Sequence, residues 1–186
     1  MTRLPLHSLE SAPSGSRPFV ERAINNNGFL PNLIGVLANA PVALETYLKV
    51  SEINSRASLS LAEREVVQIT AARLNGCEFC VVGHSAIAVK KAGLDVATTI
   101  FLQQGRPTND ARLDAVLYFT SAVIAARGAV DDAALQALRA AGFSEEQVLE
   151  VVLGVSLATL CNYANVLAQS PVNPQLEPFL PGHLQA

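Results

Sequence analysis

Residues 60–93 read SLAEREVVQITAARLNGCEFCVVGHSAIAVKKAG, and this stretch decides the fold. Ser60 followed by Glu63 is a capping box: the hydroxyl accepts an early backbone N–H while the carboxylate reaches back to the cap. A helix therefore opens at Leu61 and runs through EREVVQITAARL. Asn75-Gly76 stops it, because glycine supplies the left-handed turn that ends a helix. A second helix follows through CEFCVVGHSAIAVKK and closes at Gly93.

On that second helix Cys77, Cys80 and His84 stand at i, i+3 and i+7. At about 100° per residue they fall within an arc of roughly 60°, so one face carries two sulfurs and an imidazole. Cys77 sits at the helix start, where free N–H groups and the helix dipole favour thiolate. The thiolate is the nucleophile; an ordinary thiol near pKa 8.5 is only a few per cent ionised at neutral pH. His84 follows Cys80 by one turn and can serve as its local base. Glu65 lies twelve residues before Cys77, about 18 Å away along one continuous helix. The break at Asn75-Gly76 lets the chain fold back, so that Glu65 can approach His84 or the sulfurs. Cys77, nearest the helix start, is expected to be the more exposed thiol and Cys80 the deeper one.

Outward from this stretch the punctuation is helical throughout. Pro18 opens a short helix that Asn27-Gly28 ends, and Pro31 and Pro41 are plausible first helical positions for PNLIGVLANA and PVALETYLKVSEINSR. Asp95, Asp110 and Asp131 open three further helices, and Ser144 with Gln147 is a second capping box that opens a long one. Pro171 and Pro174 prevent its continuation. No segment sustains the alternation of a strand. The expectation is an all-α protein of about nine helices without a sheet. Residues 1–17 form an irregular N-terminal arm, 18–180 a single helical domain, and 181–186 a C-terminal tail.

Half of the 186 residues are hydrophobic and only 5% aromatic, with no Trp, so the core is mainly Ala, Val, Leu and Ile. Ala and Leu lose little side-chain freedom in a helix. The net charge is −3 and no run of Lys or Arg occurs. A nucleic-acid surface, which needs clustered cations, and an anionic-membrane anchor are therefore not expected. The N-terminus lacks the apolar core of a signal peptide. Residues Val151 to Ser170 contain Ser156, Thr159, Asn162, Tyr163 and Asn165, and read as a buried helix rather than a membrane span. Val148 to Leu167 is too apolar for a small exposed helix, so a homo-oligomer that buries it is expected, with Asn162 and Asn165 fixing the contact. The three cysteines suit a reducing compartment, hence a cytoplasmic location.

A CxxC pair alone serves zinc sites, redox sites and inert cores alike. Zinc needs four ligands, and the chain has no second CxxC, while His7 and His183 lie near its ends. Cys161, among Leu160, Val166 and Leu167, reads as core packing. Neither metal nor organic cofactor is expected.

Taken together, Glu65, Cys77, Cys80 and His84 form the pattern E-x11-C-x2-C-x3-H. It resembles the signature of the alkylhydroperoxidase D and carboxymuconolactone decarboxylase superfamily, specifically its peroxidase-like branch. GFLPNLIGVLANAP, the Gly93-Leu94 pair, AGFSEEQVLEVVLGV and NYANVLAQSPVNP extend the likeness over Gly28 to Phe179. The resemblance implies an alkylhydroperoxidase D-like helical domain that assembles as trimers or hexamers. It implies a cysteine peroxidase that reduces a small hydroperoxide and is recycled by an external dithiol or thiol protein. In that reading Cys80 is the attacking thiolate, Cys77 the resolving thiol, and His84 with Glu65 the proton relay. The sequence departs from the pattern at Phe79, where the family often carries His or Tyr. Two other functions use the same residues: a disulfide relay or redox sensor acting on a protein partner, and a non-catalytic helical oligomerisation module.

Overall fold

The structure, a computed structural model, describes residues 2–184. Among the described residues there are nine α-helices, one 3-10 helix and no strand, as the all-α reading requires. The helices are α1 (Arg17–Asn27), α2 (Asn32–Leu37), α3 (Pro41–Asn54), α4 (Leu61–Leu74), α5 (Glu78–Lys90), α6 (Val96–Gln104), α7 (Ala111–Ala125), α8 (Asp132–Ala140) and α9 (Glu145–Ala168). Both capping boxes are formed, at Ser60 and Ser144, and Asp95, Asp110 and Asp131 each accept a first-turn backbone N–H. Pro41 occupies the first turn of α3, but Pro31 sits one position before α2, as its cap residue, in extended conformation. The short 3-10 helix Pro174–Phe179 begins at the second of the two prolines that follow the long helix.

Helix α4 is the central element and packs against α5, α6, α7 and α9. Residues 65–72 of α4 are all buried, so the helix has no solvent face over two turns. Its buried carboxylates and amide are matched, while Thr70 Oγ1 is buried without a hydrogen-bond partner among the described residues. Glu63 caps the Ser60 N–H and pairs with Arg112, and Gln68 donates to the Gly154 carbonyl at 3.0 Å. The core divides around α4 and α9. One part gathers Val20, Leu33, Ile34, Leu44 and Leu157 around Cys77, Cys80 and Cys161. A second gathers Val66, Ile69, Leu102, Val116, Leu138 and Val151, and a small third one joins Val82 and Ala86 of α5 to Phe179.

The N-terminal segment is irregular but packed: Ala12 and Ser16 are buried, Ser16 donates to the Ala38 carbonyl, and the His7 N–H reaches the Gly35 carbonyl.

Helix α9 is only half the buried helix that its composition predicts. Val151, Gly154, Leu157, Ala158, Cys161, Asn162, Asn165 and Ala168 face inward. Leu149, Val152, Tyr163, Val166 and Leu167 are exposed. By helical geometry these five share an arc of about 100°. α9 is also the one described helix long and apolar enough to cross a membrane, and its inner face packs against α2, α3, α4, α5 and α7.

The crossing of α4 and α9 depends on Gly154. A Cβ there would lie 2.8 Å from Cγ1 of the buried, β-branched Val67, which has no free rotamer to yield into. Alanine gains about 1 kcal/mol of helix propensity over glycine, but overpacking costs about 1–3 kcal/mol. Gly154→Ala is expected to be net destabilising by about 1 kcal/mol or more, lowering Tm by about 2–4 °C per kcal/mol. Thermal denaturation followed by circular dichroism measures this; an unchanged or higher Tm would show slack at the crossing.

Candidate active site

The turn between α4 and α5 builds the site. Gly76 adopts φ +69°, the left-handed conformation, directly after Asn75 caps α4. The Cys77 N–H then reaches back to the Ala72 carbonyl at 2.9 Å, and the Gly76 N–H to the Arg73 carbonyl at 3.1 Å. This is the paired hydrogen bonding of a Schellman motif. Cys77 is at the same time the N-cap of α5: its sulfur accepts the Cys80 N–H at 3.3 Å. One residue thus ends one helix and begins the next, and its side chain is fixed at the positive end of the α5 dipole.

The chain folds back as the break allows, and Glu65 meets His84 rather than the sulfurs. Its Oε2 lies 2.7 Å from His84 Nδ1. Glu65 is 5% exposed, so it is not the solvated helix residue that an isolated glutamate would be. Burial opposes charge on His84, but the attraction and hydrogen bond of Glu65, together with the negative Cys80 sulfur, outweigh it and raise its pKa above the usual value. With Nδ1 bound to the carboxylate, the other ring nitrogen is available for chemistry.

The two sulfurs lie 2.8 Å apart and are not bonded. The Cys77 thiol donates to Cys80, and this hydrogen bond is the main reason why the Cys80 pKa falls to about 7 against the opposing effect of burial. Hydrogen bonds from Asn165 and Asn162 and the charge of His84 act in the same direction. Asn165 Nδ2 is 3.3 Å from Cys80 Sγ, and Asn162 accepts from Asn75 Nδ2 at 3.0 Å. The Cys77 thiol is pushed up by its hydrogen bond to Cys80, by burial and by the adjacent negative sulfur. The pair is therefore asymmetric: Cys80 is the sulfur that ionises more readily and Cys77 the one that stays a thiol.

Two expectations are corrected here. Cys77 is not the exposed sulfur: both cysteines are buried, and it is Cys80 that lines the cavity beside the site. The capping role of Cys77 turns its sulfur inward, towards the α5 backbone. Asn162 and Asn165 do not present themselves to a partner; both are buried on the inner face of α9, against the cysteines. Polar residues in an apolar helix signal a buried contact, but periodicity alone does not say on which side.

The cavity holds about 510 Å³ and is walled by residues of α1, α2, α3, α5 and α9. Phe79, Cys80, His84, Cys161 and Tyr47 line it. Tyr47 gave no signal in the sequence, being one aromatic among the apolar residues of α3. Burial and the charges of Cys161, Cys80 and Glu65 push its phenol up, so it is a neutral hydroxyl in the wall. Cys161 belongs to the core cluster, as expected, and burial pushes its thiol up as well. Phe79 is a buried apolar wall residue. Among the described residues no group of three His, Cys, Asp or Glu side chains is arranged to hold a metal ion.

Residues 41–99, which contain Glu65, Cys77, Cys80 and His84, match the family model "Carboxymuconolactone decarboxylase family". No curated protein matches the sequence. The fold is similar to that of an alkylhydroperoxidase D core, an uncharacterised peroxidase-related protein of Ralstonia eutropha JMP134. The TM-score is 0.85 at 23% identity, over 100% of this chain and 98% of that one. A peroxidase-related protein of Silicibacter sp. TM1040 gives 0.80 at 20% identity, over 98% and 94%. A debrominase solved in complex with 2,3,4-tribromopyrrole gives 0.77 at 17% identity, over 95% and 94%. At these identities the likeness establishes the fold.

The depressed Cys80 pKa sets a pH dependence. The thiolate fraction rises through about pH 7, so alkylation of Cys80 by iodoacetamide is expected to be half-maximal there and to slow as pH falls. Asn165→Leu removes one donor to the charged sulfur, worth about 1.5–3 kcal/mol, which moves the midpoint to about pH 8–9. Alkylation rates across pH, with peptide mapping, test this. A midpoint still near 7 in the variant would remove Asn165 from the site.

Proposed function

We propose that the chain, which matches the carboxymuconolactone decarboxylase family model over residues 41–99, is a member of the carboxymuconolactone decarboxylase and alkylhydroperoxidase D superfamily and a thiol peroxidase in which Cys80 attacks the hydroperoxide and Cys77 resolves the product. The observation that carries this reading is the asymmetric sulfur pair. Cys80 holds the charge at the cavity wall, and Cys77 lies 2.8 Å behind it as a thiol. A catalytic redox pair needs that asymmetry, whereas two inert core thiols would both be pushed up by burial.

The Cys80 sulfur pair attacks the terminal peroxide oxygen, forming S–O as the O–O bond breaks. The departing alkoxide takes a proton and leaves as the alcohol. His84, whose protonated form Glu65 favours, is the donor. The products are an alcohol and a sulfenic acid on Cys80. Asn165 Oδ1 is buried, receives no hydrogen bond from the described residues, and suits the new S–OH group as its acceptor. Cys77 then attacks the Cys80 sulfur; the disulfide forms and hydroxide leaves with the thiol proton as water. An external dithiol returns two electrons by exchange and restores both thiols. Phe79 moves no proton in this scheme and serves as an apolar wall.

The exposed apolar face of α9 supports a homo-oligomer, with the assembly closing over Leu149, Val152 and Leu167 rather than over the asparagines. Sedimentation is expected to give a species larger than the 19.6 kDa protomer, and Leu149→Glu with Leu167→Glu to dissociate it. A wild-type monomer at micromolar concentration would remove the proposal.

Peroxide consumption with a dithiol donor is the test of function. Cys80→Ser should abolish it at the first step. Cys77→Ser should accumulate a trappable sulfenic acid on Cys80 without turnover. His84→Gln should slow oxidation of Cys80 by about 10²–10⁴-fold. Sulfenic acid on Cys77 in the Cys80→Ser protein, and none on Cys80 in Cys77→Ser, would reverse the assignment. A Cys77–Cys80 bridge that forms with protein disulfides but ignores peroxide would favour a disulfide relay. Bromide release from a brominated pyrrole would favour the chemistry named for the debrominase.

A further inference from the structure

The cavity above Cys80 is about 510 Å³, far larger than hydrogen peroxide needs and within the range that holds drug-sized organic molecules. Its inner wall is apolar: Leu33, Ile34 and Phe79 are buried and line it. Its exposed lining residues include three cations, Arg22 from α1 and Lys90 and Lys91 from the end of α5. No Asp or Glu lines it, in a chain with 16 acidic and 13 basic residues. Among the described residues none of the three cations is within salt-bridge distance of a carboxylate. Lys90 is steered by an aromatic ring instead, its Nζ lying 4.7 Å from the Phe179 centroid.

A lysine at a helix C-terminus has an ordinary explanation, since it complements the helix dipole. That accounts for Lys90 and Lys91 on α5. It does not account for Arg22, which comes from a different helix, nor for the exclusion of acidic residues from the whole lining. Convergence of positive charge on the mouth of an apolar cavity that ends on a thiolate is the arrangement for an amphipathic anion.

We propose that the substrate class is an organic hydroperoxide carrying a carboxylate, with its hydrocarbon body in the apolar cavity, its peroxide at Cys80 and its acid group at Arg22, Lys90 and Lys91. This substrate class rests on the peroxidase reading above. The chemistry is that already balanced: the O–O bond breaks, the acid-bearing alcohol is released, and the dithiol supplies the electrons. The carboxylate takes no part in the redox step and acts only in binding.

Single-turnover oxidation of Cys80 by cumene hydroperoxide and by its para-carboxyl derivative compares a neutral and an anionic form of one skeleton. The anionic form is expected to react roughly tenfold faster per unit concentration, equivalent to about 1.4 kcal/mol, which two or three partly exposed ion pairs can supply together. The ratio should fall towards one at high salt and in a Lys90→Gln, Lys91→Gln double variant. Equal rates in the wild type, or a preference that survives both salt and the double variant, would overturn the proposal. Calorimetric binding of para-isopropylbenzoate to the Cys80→Ser protein separates this from the question of chemistry. If it binds no better than its methyl ester, the anion site is wrong whatever the turnover. If it binds better while neither hydroperoxide oxidises Cys80, the anion site stands and the peroxidase reading fails.

Discussion

The left-handed turn at Gly76 is the constraint on which the rest of the site hangs. It closes α4 by returning the Gly76 and Cys77 N–H groups to the carbonyls of Arg73 and Ala72. It also delivers Cys77 into α5 as the cap, with its sulfur held against the Cys80 N–H. The tight turn folds α5 against α4, and that packing brings Glu65 to His84 across a sequence gap of nineteen residues.

Charge inside this site is sustained by mutual compensation rather than by water. Burial alone would neutralise Cys80, as it pushes up the thiols of Cys77 and Cys161. Donors from Cys77, Asn165 and Asn162 and the charge on His84 reverse the balance at one sulfur only. His84 faces the same contest and is decided by Glu65. The result is a thiol that ionises readily beside an imidazole whose protonated form is favoured, at the wall of an apolar cavity. Such a place is weakly screened, so each contact counts for more than it would in water.

Helices α4 and α9 join the fold to this chemistry. α4 supplies Glu65 from a helix with no solvent face through its middle turns, so the carboxylate has little freedom to turn away. α9 crosses it at Gly154 and places Asn162 and Asn165 two and three turns further on, behind the sulfurs. The opposite face of α9 remains apolar and exposed in the protomer. One helix therefore carries both part of the thiolate's solvation shell and the surface best suited to self-association.

Much of this was legible in the residues themselves. Caps, glycines and prolines are local signals governed by backbone hydrogen bonding and sterics within a few residues. They placed nearly every helix, including the two that flank Asn75-Gly76. The i, i+3, i+7 spacing put Cys77, Cys80 and His84 on one face because helical geometry is fixed. What lay beyond local rules came from packing. Only the tertiary structure turned Glu65 to His84, chose Cys80 rather than Cys77 for the cavity wall, and brought Tyr47 from α3 into that wall. Only it set Asn162 and Asn165 inward, since an apolar helix with a few amides looks alike from either side until its neighbours are in place. The preference for thiolate at Cys80 comes first from the Cys77 thiol three residues away and is completed by donors on α9 more than eighty residues away in the chain, which no local pattern encodes.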